Sequence, residues 1–255
     1  MACYTAIITT EAQRHIPPGF KRCNMSEVDH IKNVTIVGIG TQGSMIAFRN
    51  ALYGKNVTGY SRTQPSIDTC KNKIDKWLAH FIEEGKLTKD EADAVRGRIH
   101  YATTLEEACK DADLVVENVP EKIEVKQAVF KQLDEVCPKH CYLNSNTSSL
   151  LMSDIYKDVS DERKAMTFSV DHDDPIRNSY LEMMWNEATS EETKQAALRH
   201  YRELGFEPVV THRSSPSARS RAIPSTACGV PSSASACICG PTAMSLTLPS
   251  STAAG

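Results

Sequence analysis

Short apolar runs alternate with longer amphipathic stretches between Asn33 and His212. The runs VTIVGI, LVVENV, CYLNSN and EPVVTH have the composition of β-strands, and the stretches between them show the three-and-four spacing of helices. This alternation is typical of a parallel sheet covered by helices. We therefore predict an α/β fold of the Rossmann type, with a doubly wound, mostly parallel sheet.

Two of the amphipathic stretches predict helices whose apolar stripes face the sheet. Thr104 and Glu107 have the spacing of a capping box, and Gly205 stands where a glycine commonly ends a helix. The stripe residues are Ile67, Cys70, Ile74, Trp77, Leu78, Phe81 and Ile82 in one helix, and Val125, Val129, Phe130, Leu133 and Val136 in the other.

The pattern divides the chain into three segments. Residues 1–24 show no clear period and are expected to form a flexible extension, and one hypothesis places the true start at Met25. Residues 25–212 form the predicted dinucleotide-binding domain. Residues 213–255 are rich in Ser, Ala, Pro, Thr and Gly, without acidic or aromatic residues, which predicts a disordered, low-complexity tail. Cys237 and Cys239 in that tail are interpreted as incidental rather than as a metal or redox pair.

The composition narrows the classes of molecule that this chain is expected to bind. With 255 residues, 40% hydrophobic, the chain can bury a sizeable core. The net charge of -3, without a basic stripe, makes nucleic acid an unlikely partner. No apolar run approaches the roughly 20 residues of a membrane helix, and the first residues do not follow the order of a signal peptide, so we expect a cytoplasmic protein without a membrane partner. The nine scattered cysteines show no ligand spacing, so no metal site is predicted.

A glycine motif follows the first predicted strand and opens a helix. In the segment Gly38-Ile39-Gly40-Thr41-Gln42-Gly43, the first glycine permits a tight turn and the second allows a pyrophosphate to approach the backbone. The third permits close packing of helix and strand, while the helix N-terminus supplies amide donors to the phosphates. The strand–turn–helix context predicts a dinucleotide site at these residues.

The end of the second strand leaves the choice of dinucleotide open. A carboxylate that binds the adenosine ribose is expected there, but the chain reads Ser61-Arg62-Thr63. Arg62 beside two hydroxyls could bind the 2′-phosphate of NADP, or it could be a solvated loop cation. The predicted cofactor is therefore NAD or NADP.

Three further blocks resemble one family. The blocks are VVENVPEKIEVKQAVFKQLDEV, SNTSSL and YLEMM, and with them the stretch from about Lys32 to His212 resembles the nucleotide-binding domain of the 3-hydroxyacyl-CoA dehydrogenases. The resemblance implies hydride transfer between NAD(P) and the 3-hydroxyl or 3-keto carbon of an acyl-CoA, in fatty-acid metabolism. It also implies a homodimer.

The resemblance assigns three residues near the nicotinamide. Glu121 and Lys126 match residues that line the nicotinamide ribose, and Ser148 matches the serine that contacts both the substrate oxygen and the nicotinamide. Spacing alone allows another interpretation. In that interpretation Glu121 and Lys126 form a surface pair at a helix start, and Ser148 caps the short helix LMSDI.

The catalytic base is less clear. The family uses a histidine to take the hydroxyl proton and a glutamate to orient it, and Glu182 matches the glutamate. Alignment on the preceding strand puts Ser169 in the place of the histidine, whereas His172 lies three residues later among aspartates that would raise its pKa. His172 is the candidate base, and a solvated loop histidine is the alternative.

The sequence departs from the family after His212. The family continues there into a helical domain that completes the acyl-CoA pocket and makes the dimer, whereas this chain shows no helical period. Three hypotheses follow: a 3-hydroxyacyl-CoA dehydrogenase, a dehydrogenase of a free 3-hydroxy acid, and a truncated dinucleotide-binding remnant without turnover. A frameshift or truncation of a longer gene would explain the change.

Overall fold

The structure is a computed structural model, and it describes residues 31–159, 164–169, 180–185 and 189–211. All statements on the fold concern these ranges, and for residues 164–169, 180 and 211 they concern the backbone alone. The predicted extension (1–24) and the predicted tail (213–255) lie outside the described residues. In the described part, no helix has the length and apolarity needed to cross a membrane.

Eight strands form one sheet with the order β3-β2-β1-β4-β5-β6-β7-β8. Neighbouring strands are parallel except β6 and β7, which are antiparallel. The predicted mostly parallel α/β fold is therefore confirmed. The strands are β1 (Asn33–Val37), β2 (Asn56–Tyr60), β3 (Ile99–Ala102), β4 (Leu114–Glu117), β5 (Tyr142–Ser145), β6 (Lys164–Ser169), β7 (Tyr180–Met184) and β8 (Glu207–Thr211).

Helices cover both faces of the sheet, as in doubly wound folds. The buried clusters place α1, α2, α3 and α7 over one face and α4, α5 and α6 over the other. The helices are α1 (Thr41–Leu52), α2 (Gln64–Glu83), α3 (Lys89–Gly97), α4 (Leu105–Cys109), α5 (Ile123–Val136), α6 (Met152–Ile155) and α7 (Glu191–Glu203).

The two predicted apolar stripes lie on α2 and α5, with two exceptions. Ile67, Leu78 and Phe130 are buried in the core. Ile82 and Val125, however, are 40% and 37% exposed, so the prediction that they face the sheet is wrong. Ile82 is the last but one residue of α2, and Val125 is the third residue of α5.

Two helix ends have the capping residues that the sequence predicts. Gly205 has a φ of +76° after α7, and the Gly205 and Phe206 amides donate to the carbonyls of Arg202 and Tyr201, which is a Schellman arrangement. Thr104 accepts the Glu107 amide at 3.3 Å, which is one of the two hydrogen bonds of the predicted capping box.

A complete capping box at another helix was not predicted from the sequence. Thr88 and Glu91 cap α3 with bonds in both directions, from the Glu91 amide to the Thr88 hydroxyl and from the Thr88 amide to the Glu91 carboxylate. Neither this box nor α3 itself was part of the sequence-based prediction.

The centre of the sheet joins distant parts of the chain. Val34 of β1 pairs with Leu114 of β4. Asp113, directly before β4, accepts the amides of Lys32 and Asn33 through one carboxylate oxygen, both at 2.8 Å. The strand order reverses between β1 and β4, and such reversal points form the ligand crevice of open α/β sheets.

Candidate functional site

The glycine turn begins with a residue that requires glycine. Gly38 has a φ of +91°, and its amide donates to the Tyr60 carbonyl at 3.1 Å, which links the turn to the end of β2. A Cβ at this position would lie 2.8 Å from the Asn118 carbonyl oxygen. Both the backbone conformation and the contact therefore exclude a side chain.

The other two glycines of the motif have opposite surroundings. A Cβ on Gly43 would lie 2.0 Å from the Gly38 carbonyl oxygen, so α1 packs directly against the turn. A Cβ on Gly40 would meet no atom within 4 Å. Gly43 is therefore needed by the fold, whereas the opening at Gly40 leaves room for a ligand against the backbone.

The N-terminus of α1 suits an anion. Gly40 is the N-cap, no side chain caps the helix, and its first turn contains no acidic residue. Thr41 is exposed and Gln42 is half-buried in that turn. First-turn amides have no partner within their helix, and the helix dipole favours negative charge there. Lys73 of α2 adds a cation, because its ammonium lies 3.2 Å from the Thr41 hydroxyl; the sequence reading missed this lysine.

The residues after β2 lie beside the same turn. Ser61 is half-buried and donates its amide to the Ala102 carbonyl at 3.3 Å. Arg62 is exposed and forms no ion pair with another described residue. The first turn of the following helix α2 is also free of acidic side chains. No carboxylate therefore stands at the position where a ribose-binding one is expected.

A second group of polar residues gathers where β4 and β5 end. One carboxylate oxygen of Glu121 accepts the Thr147 hydroxyl, the Ser148 amide at 3.1 Å and the Ser149 amide at 3.0 Å. The Ser149 hydroxyl also donates to it, at 2.9 Å. The Ser148 side chain remains exposed. The loop after β5 is thus wrapped around one carboxylate.

Lys126 connects this group to a buried glutamate. Its ammonium lies 2.8 and 2.9 Å from the two carboxylate oxygens of Glu117, the last residue of β4, and 3.3 Å from Glu121. Lys126 and Glu117 are 1% and 0% exposed. The alternative that Glu121 and Lys126 form a surface pair is wrong, because Lys126 is buried.

Ser148 does not cap a helix either. The short helix α6 has Leu151 as its N-cap, without a side-chain cap. The Thr147 hydroxyl, not that of Ser148, accepts the Leu150 amide at 3.2 Å. The interpretation of Ser148 as a helix cap is therefore wrong.

The two glutamates have different electrostatics. Burial raises the pKa of the Glu117 carboxyl above its ordinary value, although Lys126, Ser145 and the Val119 amide act in the other direction. Partial burial alone would also raise the pKa of Glu121. The hydrogen bonds from Thr147 and Ser149 and the charge of Lys126 outweigh it, so the pKa of Glu121 is lowered. Glu121 is therefore an anion at neutral pH.

The candidate catalytic residues are only partly described. His172 lies outside the described residues, and the side chain of Ser169 is not described. Glu182 is 9% exposed and lies opposite Phe168 in the β6–β7 pair. Met166 is level with Ser145 at the end of β5, so Glu182 stands just beyond that end.

These groups fit a dinucleotide. The opening at Gly40 and the α1 N-terminus suit a pyrophosphate, and the cluster at Glu121 and Ser148 lies two strands along the sheet from the residues after β2. The crevice between them lies at the reversal of strand order. The fold and the site together define a dinucleotide-binding domain of the Rossmann class.

Comparison with known proteins gives the family. Residues 33–214 match the model of the 3-hydroxyacyl-CoA dehydrogenase NAD-binding domain. The chain belongs to this family, which confirms the resemblance noted in the sequence and an NAD-type cofactor. It is 35% identical over 163 residues to a probable 3-hydroxybutyryl-CoA dehydrogenase of Bacillus subtilis (strain 168), covering 64% of this chain and 56% of the relative.

Two solved structures show the same architecture. A 3-hydroxybutyryl-CoA dehydrogenase from Escherichia coli K12 superposes with a TM-score of 0.68 at 29% identity, over 72% of this chain and 38% of that one. A diketoreductase described as acting on dicarbonyl compounds gives 0.66 at 30% identity, over 71% and 64%. The chain spans 56%, 61% and 43% of the length of three curated relatives that it matches.

Proposed function

We propose that this chain binds NAD(P) and serves an oxidoreductase that transfers a hydride between the coenzyme and the 3-hydroxyl or 3-keto carbon of a 3-hydroxyacyl-CoA. The observation that carries the proposal is the pairing of an open Gly40 with a tightly packed Gly43 at the N-terminus of α1. This arrangement presents backbone amides to a pyrophosphate and keeps side chains away from it.

The cluster after β4 and β5 would hold the reacting end of the coenzyme. Glu121 provides an anionic carboxylate of lowered pKa, and Ser148 provides an exposed hydroxyl at the same place. A carboxylate can accept hydrogen bonds from a ribose diol, and a hydroxyl can donate one to a carbonyl oxygen. When bound, the nicotinamide would accept or supply the hydride.

Proton transfer would fall to His172 and Glu182. An imidazole titrates near neutral pH, and a nearby carboxylate fixes its tautomer and stabilises the imidazolium. The position of Glu182, just beyond the end of β5 and next to the strand that leads to His172, supports this assignment. Loss of activity in His172→Ala with unchanged coenzyme affinity is the expected result.

Gly40→Ala tests the coenzyme site directly. The new methyl group meets no protein atom within 4 Å, so the melting temperature should not change, whereas the methyl should obstruct the pyrophosphate and abolish saturable NADH binding measured by fluorescence. Gly97→Ala is the matched control, because a Cβ there also meets no atom within 4 Å and Gly97 ends α3, ahead of β3. Equal NADH affinity in wild type and Gly40→Ala would refute the proposed site.

Turnover separates the enzyme from a binding remnant. We would follow NADH oxidation with acetoacetyl-CoA and, in parallel, with free acetoacetate. The second substrate tests the alternative that the enzyme acts on a free 3-hydroxy acid. Coenzyme binding without turnover of either substrate would mean that this chain is a dinucleotide-binding module without activity of its own.

The residues after β2 favour NADPH over NADH. Arg62 is exposed beside Ser61, and no carboxylate in this loop would repel a 2′-phosphate. In Arg62→Gln the dissociation constant for NADPH should rise about tenfold, whereas that for NADH should stay within a factor of two. An unchanged NADPH affinity would make Arg62 a solvated loop cation.

A further inference from the structure

Lys73 of α2 lies at the N-terminus of α1 without an acidic partner. Its ammonium is 3.2 Å from the Thr41 hydroxyl, and it forms no ion pair with another described residue. The side chain is half-buried. Because its contact is with a neutral hydroxyl, the positive charge of this lysine is available to an anion.

The packing of α2 against α1 fixes the position of Lys73. Cys70, one turn earlier on α2, is fully buried, and its thiol is in hydrogen-bond contact with Ser44 in the first turn of α1. Burial raises the pKa of the Cys70 thiol, and the nearby charge of Lys73 acts in the opposite direction. Residues three apart lie on the same side of a helix. The Cys70 contact therefore holds Lys73 next to the residues that open α1.

The surroundings make this position of Lys73 unfavourable in the absence of an anion. The helix dipole places partial positive charge at the N-terminus of α1, where a cation is disfavoured. Neither α1 nor α2 has an acidic residue in its first turn. The acidic residues nearest to Lys73 along α2 have other partners, since Asp68 accepts the Gln64 amide at 2.8 Å and Asp75 accepts Arg96 at 2.8 Å. The ammonium and the helix end therefore repel each other, and a bound anion would remove that repulsion.

We propose that Lys73 is a coenzyme-binding residue that reaches from α2 to the diphosphate at the N-terminus of α1. The assignment rests on the proposed coenzyme function, and it adds a side-chain cation to the backbone amides of the glycine turn. The flexible side chain of a lysine allows the ammonium to exchange the Thr41 hydroxyl for a phosphate oxygen. Lys73 then binds the diphosphate, which NADH and NADPH share, whereas Arg62 binds the 2′-phosphate, which only NADPH carries.

A comparison of the two coenzymes tests this assignment. In Lys73→Met the dissociation constants for NADH and NADPH, measured by fluorescence titration, should both rise about tenfold, because a charge-assisted hydrogen bond to a shared group is lost. A rise for NADPH alone would place Lys73 at the 2′-phosphate and would overturn the proposal. Unchanged affinity for both coenzymes would overturn it as well.

Lys71→Met is the matched control on the same helix. It removes the same charge, but the Lys71 side chain is exposed, and its ammonium lies 5.0 Å from the centre of the Tyr101 ring on β3. Its coenzyme affinity should stay within about twofold of wild type. Lys73→Arg keeps the cation and should recover the affinity to within about threefold. A loss as large in Lys71→Met as in Lys73→Met would mean a general effect of net charge and would overturn a contact with the diphosphate.

Thermal melting of the ligand-free protein separates binding from a structural role. Because Lys73 faces a helix end of the same sign, Lys73→Met should leave the melting temperature unchanged or raise it. A lowered melting temperature would mean that the Thr41 contact stabilises the fold, which contradicts an anion site. The coenzyme affinity of the wild type should also fall more steeply with added salt than that of Lys73→Met, because salt screens the attraction between ammonium and phosphate.

Failure of this assignment can be told from failure of the proposed function. Absence of saturable coenzyme binding in the wild type would refute the proposed function and the role of Lys73 together. Saturable binding that Gly40→Ala abolishes and Lys73→Met leaves unchanged would refute the role of Lys73 alone.

Discussion

Two lysines, Lys126 and Lys55, are buried in the described part of the chain, and their ion pairs connect different elements of the fold. Lys126 lies in the first turn of α5, and its partner Glu117, at the end of β4, is fully buried. Its second partner, Glu121, accepts hydrogen bonds from the loop after β5. Lys55 directly precedes β2 and binds Glu203, the last residue of α7, whose side chain is 22% exposed. It also donates to the Ile31 carbonyl at 2.9 Å. The first pair builds the site, whereas the second pair ties a helix to the sheet.

The surroundings of the two lysines differ as well. Around Lys126 the polar atoms of Glu117, Ser145 and Thr147 are all hydrogen bonded. His200 lies in α7, the helix that Lys55 binds through Glu203. Both of its ring nitrogens are buried without a hydrogen-bond partner in the described structure. A fully satisfied buried network specifies one geometry, whereas unsatisfied buried groups reduce stability. The buried polar groups are therefore fully hydrogen bonded at the candidate site, but not around His200.

The largest loss of stability is expected where a buried carboxylate loses the cation that it is paired with. Lys126→Met should lower the free energy of unfolding by about 3–5 kcal/mol, because Glu117 remains buried without a cation. Urea denaturation at pH 7 measures the loss. The loss should shrink as pH falls, because protonation of Glu117 removes the unpaired charge. A loss of the same size at pH 5 would contradict the ion-pair account.

Lys55→Met should have a smaller effect on the same measurement. Glu203 is partly exposed and regains water, so the expected loss is that of a charged hydrogen bond, about 1.5–3 kcal/mol. A loss equal to that of Lys126→Met would remove the difference between the two regions.

His200 predicts a pH dependence on the Lys55 side. Burial, and secondarily the charge of Lys55, hold the pKa of His200 well below its ordinary value. The unfolded chain binds a proton near pH 6.5 whereas the folded one does not, so stability falls as pH drops below 6.5, by up to about 1.4 kcal/mol per pH unit. In His200→Leu the free energy of unfolding, measured by urea denaturation, should fall less steeply between pH 6.5 and 5. An unchanged pH dependence in this variant would mean that other groups cause the loss of stability at acid pH.

The smallest effect is expected from a lysine that is paired but exposed. Lys89 lies 2.9 Å from Asp93, with side chains 82% and 49% exposed. Lys89→Met should leave the denaturation midpoint unchanged, because surface ion pairs contribute little. A shift comparable to that of Lys55→Met would show that burial is not what separates these pairs.

The glycine turn could be predicted from sequence because its signals are local. Gly43 packs against Gly38 of the same turn, and the strand–turn–helix order is visible in the apolar pattern. The helix ends at Thr104 and Gly205 were found for the same reason.

The charged network could not be found in this way. Glu117 stands in a run that reads as a strand, and nothing local shows that its side chain meets Lys126 and Ser145, 9 and 28 residues away. Those contacts depend on where β4 and β5 end relative to each other.

The central strand pair also sets an order of events during synthesis. Strand β1 and its neighbour β4 are held together by Asp113, whose carboxylate binds the Asn33 amide 80 residues away. As the chain emerges from its amino end, β1, β2 and β3 can assemble first, but one edge of β1 stays open until β4 arrives. Closure over so long a loop is slow. The strand that leads into the glycine turn therefore keeps an edge open to mispairing until β4 has been made.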